Sequence, residues 1–167
     1  AQPAGPDWRI ETMTLANPAG RIEANGWWRI GRDAQMTEID ARVTAEDAGA
    51  FLQRLGYPVA VLNAPTTIEG ALAWKGAPNE FDYPTLSGKF NLATGAGQFT
   101  RIDPGIGKLL GVLSLQALPR RITLDFRDVF SEGFAFDDIT GDFVVQRGQM
   151  RTDNLRLAGP AASVRIN

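Results

Sequence analysis

The 167-residue sequence contains no histidine and no cysteine. Without cysteine it has no disulfide, no thiolate metal site and no cysteine nucleophile. Without histidine it lacks the usual general base near neutral pH, the commonest metal ligand and every histidine-dependent catalytic triad. Because these groups carry most enzyme chemistry, we predict that the protein is not an enzyme and uses no metal or other cofactor.

Concentrated charge of one sign is also missing. Seventeen basic and 19 acidic residues give a net charge of −2, spread without long blocks. Nucleic-acid binding needs a basic face, and an anionic membrane surface attracts polybasic segments. The sequence therefore predicts no nucleic-acid partner. A hydrophobic fraction of 44% and a charged fraction of 22% favour a folded chain over a disordered one.

Long apolar runs are absent as well. A membrane span needs about eighteen consecutive apolar residues, whereas the longest apolar stretch, Ile106–Leu118, is interrupted by Gly, Lys, Ser and Gln. The first residues, AQPAGPDW, lack the charged and apolar regions of a signal peptide. The last residues, SVRIN, stop within a strand pattern. We expect a segment excised from a longer protein.

Strict alternation of apolar and polar residues dominates the chain. It is clearest in Gln35–Val43, where Met36 is the one apolar residue on the polar side, and in Thr66–Trp74. This period predicts strands with one buried and one wet face, as in an antiparallel meander. The predicted strands are Trp8–Leu15, Arg21–Ile30, Gln35–Val43, Thr66–Trp74, Leu86–Leu92 in a hairpin with Gln98–Ile102, Phe134–Gln146, Gln149–Leu157 and Ala162–Ile166.

Helical periodicity interrupts the strands. A helix over 45–55 is predicted from Thr44 as its N-cap and Gly56 as its stop. A second helix is predicted over 106–117 and a short third over 125–132. We predict a single domain over 1–167, with strands and the helix 45–55 in 1–103, a helical insertion in 104–133 and strands in 134–167.

Several patterns resemble functional sites without meeting their requirements. Gly105–Gly111 lacks the spacing and the Ser or Thr of a phosphate loop. Ser114 has no base beside it. Asp125, Asp128, Asp137, Asp138 and Asp142 are too irregularly spaced for a calcium loop, so we interpret them as solvated or capping residues. Large aromatics such as Trp8, Trp74, Phe81, Phe90 and Phe99 are interpreted as core, and adjacent Trp27 and Trp28 as facing opposite sides of their strand.

Three stretches carry a family resemblance. SLQALPRR at Ser114–Arg121, LDFRDVFSEGFAFDDITGDF at Leu124–Phe143 and MRTDNLRLAGPAASVRI at Met150–Ile166 resemble the C-terminal region of the YhdP proteins. These belong to the AsmA/TamB superfamily of Gram-negative envelope proteins. The resemblance implies a mainly β fold with minor α: an antiparallel meander curled into an open groove or half-barrel, with two to three short amphipathic helices packed on it.

The resemblance also implies a function. We expect a non-enzymatic segment of an envelope-spanning lipid-transfer protein, presenting an apolar groove to phospholipid acyl chains and supporting outer-membrane integrity. It implies a periplasmic location within an inner-membrane-anchored protein, with phospholipid, neighbouring segments of the same chain and envelope proteins as partners. The alternative is a structural or protein-docking module of the same assembly. The candidate lipid or partner contacts are Leu109, Leu110, Leu113, Arg120, Arg121 and Trp28.

Overall fold

The computed structural model describes residues 7–32, 34–100, 135–160 and 163–165. This part of the chain is mainly antiparallel β-structure with one short α-helix, α1, at Ala48–Arg54, and one 3-10 turn at Tyr83–Thr85. The strands are β1 Trp8–Asn17, β2 Gly20–Ile30, β3 Gln35–Ala45, β4 Val61–Leu62, β5 Thr66–Lys75, β6 Ser87–Thr94, β7 Gly97–Phe99, β8 Ala135–Phe136, β9 Asp138–Gln146, β10 Gln149–Arg151, β11 Arg156–Ala158 and β12 Ser163–Arg165.

Nine strands form one open main sheet. Its order is β1-β2-β3-β5-β6-β9-β11-β12, and β10 pairs with β9 beside β11. All the pairs are antiparallel, and β1 and β12 are the two edges. The mainly β, open-sheet architecture with minor α is therefore confirmed.

The strands with strict alternation form where the sequence predicts them. β3 and β5 pair over ten residues, from Met36 opposite Lys75 to Ala45 opposite Thr66. Met36 lies on the polar side as expected and is 38% exposed. This register places apolar residues of one strand opposite apolar residues of the next, and such cross-strand pairs stabilise the pairing of the strands.

The first helix begins later than predicted. The Asp47 side chain accepts hydrogen bonds from the amides of Gly49 (2.9 Å) and Ala50 (3.1 Å), so Asp47 is the N-cap. Thr44 is not the cap, because Thr44 and Ala45 still pair with Thr67 and Thr66 of β5. Strand pairing therefore shortens the predicted helix 45–55 at its start. The helix ends before Gly56, as predicted, where φ is +86°.

The predicted hairpin after β6 is wrong. β6 pairs with β5 and β9, whereas β7 leaves the main sheet. β7 is the centre of a separate three-stranded sheet of order β4-β7-β8. At Gly97 an added Cβ would lie 2.7 Å from the Phe136 ring and 2.9 Å from Ala64. Glycine therefore permits the close approach on which this small sheet is built.

The predicted C-terminal strands are also divided. Phe134–Gln146 becomes β8 in the small sheet and β9 in the main sheet, with a bend at Asp137, whose amide donates to the Ala158 carbonyl (2.7 Å). The predicted strand Gln149–Leu157 becomes β10 and β11. The turn at Arg147–Gly148 is confirmed, and both residues have positive φ (51° and 72°), as a two-residue hairpin turn requires.

A small core lies beside the small sheet. Ala64 and Phe136 are its buried centre, and Ala48, Val61, Phe99, Ile139 and Leu157 pack around them. The predicted helices over 106–117 and 125–132 lie outside the described residues. Within the described ranges no helix is long and apolar enough to cross a membrane.

Candidate functional site

The main sheet has one side that is apolar across its width. The register aligns Ile22, Val43, Ile68 and Leu92 in one row across β2, β3, β5 and β6. Two rows further on, Ile39 and Leu72 face each other across β3 and β5, and this row continues through Gly88 of β6 to Val145 of β9. We call this side the apolar face. It carries Trp8, Ile10, Met13, Leu15, Ile22, Ala24, Trp28, Ile39, Ala41, Val43, Ile68, Leu72, Trp74, Phe90, Leu92, Ile139, Phe143 and Val145.

The row between those two consists of small residues on the central strands. There Ala24, Ala41 and Gly70 are aligned, and a side chain on Gly70 would collide with the Lys89 carbonyl of β6. On the β9 side the same row continues into Phe90 and Phe143, whose rings stack at 4.9 Å with an interplanar angle of 13°. The result is an apolar surface with small residues flanked by bulky ones.

The opposite side of the sheet is charged. It carries the ion pairs Arg29–Glu38 (2.8 Å) and Arg42–Glu69 (2.9 Å), which cross between neighbouring strands. The pairs Arg21–Glu23 (3.2 Å) and Arg156–Asp138 (4.0 Å) lie on this side too. The sheet is therefore amphipathic as a whole, and its two sides meet different environments.

The apolar face is most exposed along its first edge. On β1, Trp8 is 57%, Met13 41% and Leu15 51% exposed. Further in, Ile22, Ile39, Val43, Ile68, Leu72 and Leu92 are only partly buried. Partly exposed aliphatic side chains aligned over several strands form an apolar patch of the kind that marks a binding surface.

One end of the apolar face is bordered by α1. The Phe51 side chain of α1 is buried, and its ring comes to 2.8 Å from where a Cβ of Gly20 would stand, close to Ala45. Both positions lie on the apolar face, at the end of β2 and β3. The small sheet lies at the same end. There the Thr66 hydroxyl of β5 donates a hydrogen bond to the carbonyl of Ala64, which belongs to the small core.

The other end carries an aromatic cluster, which we define as Trp74, Phe81, Tyr83 and Tyr57. Trp74 is buried and donates from Nε1 to the Ala77 carbonyl (3.2 Å). The centroids of Trp74 and Phe81 are 5.0 Å apart, and those of Phe81 and Tyr83 are 4.8 Å apart. Desolvation raises the pKa of the Tyr83 hydroxyl, and a hydrogen bond with Tyr57 raises it further.

Sequence reasoning missed this cluster. Phe81 was expected in the core, but it is 43% exposed, and Trp8 likewise is exposed rather than buried. Only the position of Phe81 and Tyr83 in the Pro-rich loop between β5 and β6 signalled that they lie outside the sheet. Of the aromatics expected in the core, Trp74 is buried and Phe90 and Phe99 are partly buried.

Trp28 is the one predicted contact residue that the structure describes. It lies on the apolar face between Trp8 and Thr37 and donates from Nε1 to Gln35 Oε1 (3.1 Å). Its neighbour Trp27 lies on the charged side, with the Arg9 guanidinium 5.9 Å from its ring centroid. The predicted contacts Leu109, Leu110, Leu113, Arg120 and Arg121 lie outside the described residues.

Two of the acidic residues singled out in the sequence have partners on the protein surface. Asp142 accepts a hydrogen bond from the Asn154 side chain (2.7 Å), and Asp138 lies 4.0 Å from Arg156. Asp125 and Asp128 fall outside the described residues. Among the residues described, no group of three or more carboxylates is placed to hold a metal ion.

A depression on the charged side is lined by Glu23, Asp40, Arg42 and Glu69, and this lining is unsuited to an apolar ligand.

Comparisons with known proteins identify the family of the chain. The sequence model of the YhdP protein family matches residues 1–167. The chain is 31% identical over 160 residues to the "Intermembrane phospholipid transporter YhdP" of Escherichia coli (strain K12), a match that covers 92% of this chain and 13% of the relative. No solved structure matches. The chain therefore belongs to the YhdP protein family.

Proposed function

We propose that this chain is one section of an envelope-spanning lipid-transfer protein, and that its apolar face holds phospholipid acyl chains in transit. In this role it catalyses no reaction and supports the integrity of the outer membrane. It works in the periplasm of a Gram-negative bacterium, as part of a protein anchored in the inner membrane. The relative's name, which states intermembrane phospholipid transport, supports this assignment.

The observation that carries the proposal is the continuity of the apolar face. Aliphatic residues follow one another across β2, β3, β5 and β6 without a charged residue between them, while the ion pairs lie on the other side. Each methylene removed from water gains about 0.8 kcal/mol, so an unbroken apolar surface lets an acyl chain slide without being exposed. Such transfer makes and breaks no bonds, which suits a chain without His or Cys.

The edges of the sheet support a role as one section of a longer structure. β1 is a ten-residue edge strand, and its apolar-face residues Trp8, Met13 and Leu15 are among the exposed large hydrophobic residues of the part of the chain that the structure describes. Its pairing with β2 shifts register between Ile10 and Met13, but the outer edge of so long a strand still offers backbone groups to another strand. We assign this edge to a neighbouring segment of the same longer protein, which would extend the apolar face beyond β1.

Within this function, Trp28 contacts the lipid from the apolar face. Leu109, Leu110 and Leu113 contact acyl chains or a partner, and Arg120 and Arg121 contact the phosphate of the head group, since Arg side chains bind phosphate oxygens in a fork.

Photo-crosslinking from the two sides of β5 tests the function. A photoreactive residue at Leu72 lies on the apolar face, and one at the adjacent Ala71 lies on the charged side, so each position controls for the other. With vesicles of phosphatidylethanolamine and phosphatidylglycerol, we expect phospholipid adducts at Leu72 and few or none at Ala71. Equal labelling at both positions, or none at Leu72, contradicts the proposal.

The same experiment addresses the alternative, a module that only docks to neighbouring protein segments. In that case Leu72 would form protein adducts and no lipid adducts when the crosslinking is carried out in the bacterial envelope. Native mass spectrometry gives an independent readout, because co-purified phospholipid supports the groove and lipid-free self-association supports docking.

A further inference from the structure

The aromatic cluster has features that acyl-chain binding does not require. Phe81, Tyr83 and Tyr57 are 43%, 61% and 53% exposed, so their rings present surface to solvent instead of filling a core. The loop that carries Phe81 and Tyr83 is anchored by other contacts, namely Thr37 Oγ1 to the Gly76 carbonyl (2.8 Å) and Trp74 Nε1 to the Ala77 carbonyl. Exposed rings in contact with one another are therefore available to a ligand.

Two carboxylates alternate with these rings along the loop, in the order Glu80, Phe81, Asp82, Tyr83. Glu80 is exposed, and Asp82 is held in place by the Thr85 hydroxyl, which donates to Asp82 Oδ2 (2.7 Å). Lys75 precedes the loop, but alternation along β5 places Lys75 on the charged side of the sheet, away from Trp74. The loop itself carries two negative charges and no positive one.

Faces of aromatic rings attract cations, and aromatic cages bind ammonium ligands such as choline. The two negative charges of the same loop favour a cation there by Coulomb attraction. The cluster also adjoins the apolar face, because Trp74 belongs to that face and packs against Phe81. A phospholipid whose acyl chains lie on the apolar face must leave its head group at a polar border of that face. The cluster is such a border.

We propose that the aromatic cluster, with Glu80 and Asp82, binds the ammonium group of a zwitterionic phospholipid head group and so gives this section a preference for amine-bearing lipids over anionic ones. The inference rests on the proposed function, since it places the head group of the lipid whose chains occupy the apolar face. It adds a specificity determinant to a surface that otherwise recognises only hydrocarbon.

The test measures which lipid is captured by the photoreactive residue at Leu72. Vesicles contain equal amounts of phosphatidylethanolamine and phosphatidylglycerol with identical acyl chains, and mass spectrometry gives the ratio of the two adducts. We expect phosphatidylethanolamine to be enriched about two- to fivefold over phosphatidylglycerol, the range that ring–cation contacts of this kind supply.

Phe81→Leu and Glu80→Gln should each bring the ratio towards one while total capture persists. Glu23→Gln, the same change on the charged side of the sheet, should leave the ratio unchanged.

The outcomes separate the two proposals. Lipid capture with an equal ratio, with phosphatidylglycerol enriched, or with a ratio that neither variant changes, overturns head-group recognition and leaves acyl-chain binding standing. No lipid capture in the unsubstituted protein overturns the proposed function and this inference together. An equal ratio in the unsubstituted protein is decisive by itself, and total capture by Phe81→Leu and Glu80→Gln shows that each variant still forms the apolar face.

Discussion

Thr37 is the most deeply buried polar side chain of the described residues, with no exposed surface. It lies on the apolar face, and its hydroxyl donates to the Gly76 carbonyl at 2.8 Å. A buried hydroxyl is tolerated there because it satisfies a carbonyl of the loop that leads to the aromatic cluster. This hydrogen bond is one of those that connect the sheet to the loop of the candidate head-group site, together with the one from Trp74 Nε1 to the Ala77 carbonyl.

Replacing Thr37 by Val should destabilise the protein by about 1–3 kcal/mol, since the Gly76 carbonyl loses its partner while the volume is kept. Urea unfolding measures the change. Thr14→Val, at an exposed position of β1, is the control and should have little effect. If both variants unfold at the same urea concentration, the Thr37 hydroxyl does not hold this loop.

The N-cap of α1 gives a second test at the residue scale. Asp47→Ala removes the acceptor for two amide groups and should cost about 1 kcal/mol, whereas Asp47→Asn should retain most of the stability. Thermal unfolding of both variants is compared with that of Thr44→Ala, which removes the cap that the sequence predicted. A larger loss in Thr44→Ala than in Asp47→Ala would contradict the observed start of the helix.

Among the elements, β7 is the strand whose pairing differs from the predicted hairpin with β6. It directly follows β6 in sequence, yet it pairs with β4 and β8 and leaves β6 free to pair with β9. The main sheet is therefore completed by the pairing of β6 with β9, two strands that are far apart in the sequence.

Gly97→Ala tests the small sheet. The added methyl group would meet the Phe136 ring and Ala64 at less than 3.0 Å, so we expect a loss of about 1–3 kcal/mol from overpacking. Gly95→Ala, two residues earlier, is a matched control because the nearest atom to its Cβ would be 3.5 Å away, on Pro65. Chemical denaturation should separate the two variants, and equal stability would show that β7 does not pack as described.

At the scale of the whole molecule, the separation of apolar and charged faces is the property that the proposed function needs. We expect Leu72→Asp to reduce phospholipid capture strongly, because it places a charge in the middle of the apolar face, where the ionised carboxylate would have to be desolvated beside the bound chain. Native mass spectrometry of co-purified lipid measures the loss. Ala71→Asp, on the charged side of the same strand, should retain lipid, and circular dichroism checks that both variants keep their β-structure. Unchanged lipid in Leu72→Asp would argue against this face as the acyl-chain surface.

The sequence by itself determined which residues share a face. Side chains alternate across a strand with period two, so the order of apolar and polar residues in Gln35–Val43 and Thr66–Trp74 already separated Ile39 from Glu38 and Leu72 from Ala71. This local geometry needs no knowledge of the partner strand. The turn at Arg147–Gly148 and the helix stop at Gly56 were predictable too, because they depend on the local backbone freedom of glycine.

Only the tertiary structure decided how those strands assemble. The choice of β9 over β7 as the partner of β6, the late start of α1 at Asp47 and the exposure of Phe81 and Tyr83 depend on packing between residues distant in sequence. Short strands such as β4 and β7 have too few residues to show the two-residue alternation of apolar and polar side chains. Their pairing is set by the fit of Gly97 against Phe136. The apolar sides of β3 and β5 could therefore be predicted residue by residue. The apolar face on β1 could not, because a register shift between Ile10 and Met13 places both residues on that face. The aromatic cluster could not be predicted either, because it forms where a loop, a strand end and the segment after α1 meet in space.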